Sequence, residues 1–162
     1  MSSRPRIARA RQPESREECR TRALRLLAVR SRSKEDLRQA LEARGYSPGT
    51  IRETIGVLSR DGSLNEQAAL ESFLLNREER FSRDRLRTEM RRKGFPKESI
   101  DRALAAISDD EERALLDSLY RRRSEELANL PPEKRRKKIF DFLRRRGFPA
   151  SAIFETMGEA EE

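Results

Sequence analysis

Three short strings in this chain share one pattern: RGYSPGTI at residues 44–51, KGFPKESI at 93–100 and RGFPASAI at 146–153. Each sets a basic residue, a glycine and an aromatic in succession, with an isoleucine six positions after the glycine. The likeness extends outward. Four and eight residues before each glycine stand Leu41 and Leu37, Met90 and Leu86, Leu143 and Ile139, and ten after it stand Ile55, Leu104 and Met157. Steps of four on either side of a break trace one face of two successive α-helices. Gly45, Gly94 and Gly147 are placed to end the first helix of each pair in the left-handed conformation that other residues resist. The adjacent aromatic can cover the joint.

A further apolar stretch precedes each pair: Ala23 to Val29, Leu70 to Leu75 and Leu115 to Leu127. Ser33 and Ser82 sit at one common offset before their glycines and suit helix N-caps, while Pro131 and Pro132 fit the first turn in the third case. Period-two alternation and hairpin turns are missing. The chain is therefore expected to be all-α, an elongated array of three tandem three-helix repeats spanning residues 19–64, 65–108 and 109–158. Residues 1–18, rich in arginine and free of apolar periodicity, are expected to form a disordered basic arm. Residues 159–162 make an acidic tail.

Composition agrees with an array better than with a single core. Of the 162 residues 41% are charged and 35% hydrophobic, with 37 Lys and Arg against 29 Asp and Glu, a net charge of +8. Histidine is absent, which removes imidazole as ligand, base or pH switch. The single cysteine, Cys19, cannot build a disulfide framework or a cysteine metal cluster. No run approaches the roughly 18 apolar residues of a membrane span, and the N-terminus lacks the apolar core of a secretory signal. A soluble protein with anionic partners is expected, and with it a cytoplasmic monomer without membrane association or cofactor.

Catalysis finds no support. There is no Gly-rich phosphate loop of the Walker type, and without histidine a serine or cysteine nucleophile lacks its usual base. Positive charge, in contrast, is concentrated. Residues 134–146 hold eight basic residues and one acid, Asp141, and residues 77–93 hold eight against four acids. Both runs cover a middle helix and its lead-in, so basic side chains could line one side of a stacked array and meet phosphates or an acidic protein groove. The plain alternative is a solvated helix face. Two runs and a basic arm favour binding. A helix-turn-helix that reads bases is disfavoured, because the outward positions of the third helices (Arg52, Glu53, Lys97, Asp101, Ser151, Glu155) are mixed in sign. Tyr46, Phe95 and Phe148 are read as core closure, and Phe73, Phe140, Phe142 and Phe154, within helices, as mainly packing residues. Phe81 is left without a clear place.

In these segments the chain resembles the RecX family of recombination regulators. PPEKRRKKIFDFLRRRGFPASAI is similar to the family's C-terminal segment, and LRTEMRRKGFPKESIDRAL and LRQALEARGYSPGTIRETIGVL carry its glycine-containing turn. The likeness runs over about residues 19–158. In LNEQAALESFLLNR, Phe73 and Arg77 fit the family pattern while Asn65 and Ala69 depart from it, and RFSRD at 80–84 replaces a Gly-rich turn. The resemblance implies a non-enzymatic protein that engages the RecA filament on single-stranded DNA and restrains its ATP hydrolysis and strand exchange. The residues expected to meet that partner, or DNA itself, are Arg77, Arg91, Arg92, Lys93, Lys134, Arg135, Arg136, Lys137, Lys138, Arg144, Arg145 and Arg146. Gly45, Gly94 and Gly147 are expected to hold the turns without touching a partner. The competing readings are an autonomous nucleic-acid-binding protein and a bare structural adaptor whose charge only solubilises it.

Overall fold

The computed structural model describes residues 15–159. Within them run nine α-helices and no strand: α1 (Arg16–Val29), α2 (Lys34–Glu42), α3 (Pro48–Arg60), α4 (Glu66–Leu75), α5 (Arg83–Arg92), α6 (Lys97–Ala105), α7 (Asp109–Glu126), α8 (Pro132–Arg145) and α9 (Ala150–Glu159). The first three helices make one compact unit, which ends at Asn65, and the other six make a second, which begins at Glu66.

Serines start most of the helices. The hydroxyls of Ser15, Ser33, Ser47, Ser82 and Ser108 accept from the amides of Glu18, Asp36, Thr50, Arg85 and Glu111. Each such cap satisfies an orphan amide and contributes about 1 kcal/mol. At Ser108 the Glu111 carboxylate also accepts from the serine amide, a reciprocal capping box. Helix α8 enters instead through Pro131 and Pro132, with no side-chain cap.

The start of α1 corrects one expectation. Residues 16–18 were assigned to the basic arm, but the helix begins at Arg16, because Ser15 caps it and Glu17 and Glu18 sit at its positive end. The rest of the arm, residues 1–14, lies outside the described residues, as do residues 160–162 of the acidic tail. Cys19 is fully buried in the first core.

Three apolar clusters repeat one register. Cys19, Ala23, Leu37, Leu41, Ile51, Leu58 and Leu64 form the first. Ala69, Leu70, Phe73, Leu86, Met90, Phe95, Ile100 and Leu104 form the second, with Phe81 half-buried against it. Leu116, Leu119, Ile139, Leu143, Phe148, Ile153 and Met157 form the third. Each is joined by the same reversal. The amide of Gly45 donates to the Glu42 carbonyl and that of Tyr46 to Leu41; Gly94 and Phe95 do the same to Arg91 and Met90, and Gly147 and Phe148 to Arg144 and Leu143. These paired bonds define a Schellman turn, which requires a left-handed residue. The glycines adopt φ of +87°, +76° and +93° in chain order.

Gly147 has a second duty. A Cβ there would lie 2.5 Å from both the Arg85 Cβ and the Ser82 Oγ, so the turn seats directly on the start of α5. Beside it the Ser82 amide donates to the Arg146 carbonyl at 3.0 Å. Arg83 completes the seam. Its amide donates to Glu112 at 2.8 Å, its Nη1 donates to the Ile107 carbonyl at 3.1 Å, and its guanidinium pairs with Asp109 and Glu112. Those hydrogen bonds, to Asp109 first, hold Arg83 more firmly protonated than a free arginine.

This geometry separates two glycine substitutions. Gly62 also has positive φ, +78°, but open space where its Cβ would be. Gly62→Ala should cost about 1 kcal/mol from backbone strain alone, and Gly147→Ala about 2–4 kcal/mol once overpacking is added. Denaturation followed by circular dichroism checks the order, and equal losses would remove the seam from the argument.

Candidate partner-binding surface

Helices α2, α5 and α8 are equivalent by core register but differ in how their cations are compensated. On α2, Arg38 lies between Glu35 at 2.7 Å and Glu42 at 2.9 Å, and Asp36 takes both Arg30 at 2.9 Å and Arg32 at 3.1 Å. The Arg38 hydrogen bond, aided by Gln39, lowers the Glu35 carboxyl to about 2. On α5, Arg85 pairs with Glu89 at 2.9 Å and Arg87 with Asp84 at 2.8 Å. Arg91 and Arg92 end that helix exposed, and Lys93 closes it half-buried.

Helix α8 is different. Among the described residues Lys134, Arg135, Lys137, Lys138 and Arg145 make no ion pair. Steps of three, four and seven put Lys134, Lys137, Lys138 and Arg145 on one face, away from the buried Ile139 and Leu143. All four are exposed. Their uncompensated charge attracts anions, and Arg145 is further favoured by its place at the negative end of the helix.

Other expected contact residues are engaged within the fold. Arg77 lies 4.4 Å from the centroid of the Phe73 ring and 3.5 Å from Glu89. Arg144 is exposed, but its Nη1 donates to the Phe148 carbonyl at 2.8 Å. Arg136 is exposed and Arg135 half-buried. Arg146 is half-buried, its guanidinium 3.7 Å from the Phe142 centroid. Gly45, Gly94 and Gly147 occupy the turns already described.

Around Phe142 the structure gathers arginines that the sequence reading missed. Arg123 lies 5.1 Å from the same ring. Burial, then the guanidinium groups of Arg122, Arg145, Arg123 and Arg80, push the Arg146 pKa down from its ordinary value. The Nε atoms of Arg123 and Arg146 are buried without a hydrogen-bond partner. Glu126 pairs with both Arg122 and Arg123. In the sequence, Glu125 and Glu126 follow Arg121–Arg123 so closely that this stretch reads as a balanced helix face.

Phe154 is a correction. Expected to serve mainly in packing, it is 53% exposed, because Ile153 takes the core-facing position and the next residue turns 100° away. Its ring stacks on Phe140, with centroids 5.1 Å apart and planes at 26°. A cleft of about 550 Å³ opens beside the seam, where Arg83, Arg87 and Arg113 stand among Asp84, Glu112 and Glu155. Its mixed charge suits it less to an anion than the face of α8. Among the described residues no group of acidic or cysteine side chains could hold a metal, and no helix is long and apolar enough to cross a membrane.

These features define an all-helical protein of repeated three-helix units in which, among the described residues, the outer face of α8 carries cations without acidic partners. Residues 19–58 match the family model for the first three-helix domain of RecX, and residues 109–157 match that for the third. The chain is 32% identical over 136 residues to the regulatory protein RecX of Amycolatopsis mediterranei (strain U-32), covering 83% of this chain and 78% of that relative. It is 32% identical over 145 residues to that of Halorhodospira halophila (strain DSM 244 / SL1), covering 86% of each. The crystal structure of RecX from Lactobacillus salivarius shares the fold, with a TM-score of 0.69 at 17% identity over 90% of this chain and 96% of that one. The chain belongs to the RecX family of regulatory proteins.

The pairing on α2 has a pH signature. Glu35 titrates at about 2 in the fold against 4.5 in the open chain, so its stabilisation is present above pH 4.5 and lost as pH falls through 2. The carboxylate side chain is 38% exposed, so solvent screening keeps the gain under about 1 kcal/mol. Glu35→Gln should melt slightly below the parent at neutral pH, and the two melting curves should converge near pH 2. A constant difference across that range would show that Glu35 acts through something other than its charge.

Proposed function

We propose that this protein binds the RecA filament on single-stranded DNA and restrains its ATP hydrolysis and strand exchange. It acts as a cytoplasmic monomer, by binding and without catalysis or a cofactor. Three repeats over residues 19–64, 65–108 and 109–158 supply the binding units, and repeated helical units suit an extended partner because contacts accrue along it. Membership of a family whose named relatives are regulatory proteins supports a regulator. The observation that carries the reading is the face of α8, where Lys134, Lys137, Lys138 and Arg145 stand without acidic partners among the described residues.

Such a face costs little stability to keep, because exposed ion pairs contribute only about 0–1 kcal/mol each and their omission is tolerated. Against an anionic surface the same cations speed encounter and fix register. They also release counterions where the surface is DNA phosphate. Arg91 and Arg92, exposed at the end of α5, extend the cationic surface of the second unit. Arg77 and Arg146 act through the fold, the first by holding the end of α4 and the second by placing Phe142 and the seam.

The test is inhibition of RecA ATPase on single-stranded DNA by the variant Lys134→Glu/Lys138→Glu/Arg145→Glu. At low salt the variant should require roughly tenfold more protein for equal inhibition. Raising the salt should shrink the gap as screening removes the long-range attraction. Arg52→Glu, an exposed position on α3, should inhibit as the parent does. Full inhibition by the triple variant, with its helical content intact, would return α8 to a solvated face. Tighter binding to naked DNA than to filaments would favour autonomous nucleic-acid binding instead.

A further inference from the structure

We propose that Phe154, backed by Phe140, is a base-stacking platform for single-stranded nucleic acid. The proposal rests on the reading above for its biological setting but on different residues for its chemistry. Among the exposed large apolar side chains of the described residues, Phe154 is the aromatic one. Its ring does not close a core. It continues a stack with Phe140, at 5.1 Å and 26°, and at 53% exposure it leaves much of its surface to solvent. An offset pair with an open outer face offers a planar partner the next place in the pile.

The surroundings choose the partner. One turn before and after Phe154 along α9 stand Ala150, Ser151 and Gly158, and a Cβ at Gly158 would meet nothing within 4 Å. Small neighbours leave the ring accessible to something as broad as a base. On α8, of the four residues one turn from Phe140, Leu143 is buried in the core and Arg136, Lys137 and Arg144 are exposed. A protein hot spot needs a wider apolar ring to exclude water, and a lipid surface needs aliphatic side chains beside the aromatic. Neither surrounds Phe154. An aromatic face within one helical turn of cations is the pairing that single strands use, with bases stacked on rings and phosphates held by Lys and Arg. A duplex buries its base faces in its own stack, so the platform discriminates in favour of single strands.

The chain contains no tryptophan, so Phe154→Trp supplies a single fluorescent reporter at the proposed site. Titration with oligodeoxythymidine at low salt should quench that fluorescence, and a duplex of equal length should quench it far less. Phe154→Ala should lower affinity for the single strand by roughly 5- to 150-fold, while Leu75→Ala, an exposed apolar residue on α4, should leave it unchanged. Phe154→Trp is expected to keep the parent melting temperature, and Phe154→Ala to lower it slightly by uncovering Phe140, with helical content unchanged. Unchanged single-strand affinity in Phe154→Ala, equal quenching by duplex, or no binding of the parent to the single strand would each overturn the platform. An assay of RecA inhibition separates the two proposals. A parent that binds the strand through Phe154 but does not inhibit RecA leaves the platform standing and removes the regulator. A Phe154→Ala variant that loses inhibition yet keeps strand affinity assigns the ring to protein contact and overturns the platform.

Discussion

The structure depends on a six-residue chain reversal made three times. In each, the amide of an aromatic reaches back five residues to a core-facing carbonyl, and this is possible only while the residue before it holds positive φ. The bond turns the aromatic over the end of its own helix, where Phe95 and Phe148 are buried and Tyr46 half-buried. The next helix then starts on the same side of the core, which is why Ile51, Ile100 and Ile153 recur at one spacing. An L-residue at the glycine would cost about 1–2 kcal/mol in backbone strain and would loosen the aromatic at the same time.

A frame fixed by so few positions leaves the solvent-facing residues free to diverge. Helix α2 spends its surface on internal pairing, with Arg38 shared by Glu35 and Glu42. Helix α5 pairs its first turns and exposes arginines at its end. Helix α8 leaves Lys134, Lys137, Lys138 and Arg145 without such partners among the described residues, and just beyond its end the charged form of Arg146 is disfavoured by burial and by the guanidinium groups around it. Stacking on Phe142 recovers part of that cost through cation–π attraction. The helices around the third apolar cluster therefore tolerate a concentration of like charge that adds nothing to that core.

Much of this was legible in the sequence because the informative residues have one dominant physical role. Glycine at a helix end, serine before a helix and leucine at steps of four each point to a single geometry. The start of α1 was obscured because the arginines around Ser15 outweighed the cap signal in composition. Arginine is the less readable residue, since its long stem and planar head serve equally well in water, on a ring or in an ion pair. Arg77 and Arg146 stand in basic runs yet lie on Phe73 and Phe142. Arg80, Arg122 and Arg123 join the cluster through tertiary approach, which spacing along the chain does not encode. The second duty of Gly147 was hidden for the same reason: its turn reads like the other two, and only its seat on Ser82 and Arg85 makes the absence of a Cβ a packing requirement.

The apolar arc of α8 shows how one helix can present two surfaces. Ile139 and Leu143 point into the core, and Phe140 and Phe142 fall at the two edges of that arc, about 160° apart across it. Edge aromatics need covering on one side and meet water on the other. At Phe142 the cover is two guanidinium groups, which occupy ring surface and bring charge with them. At Phe140 the cover is a second ring, which passes an aromatic face outward to solvent. One flank thus carries arginines already held on a ring, the other a ring face open to a base, and the outer-face lysines suited to phosphate stand between them. A single strand crossing α8 would meet both kinds of group in the order that its own backbone and bases require, whereas a uniformly charged helix could grip only its phosphates.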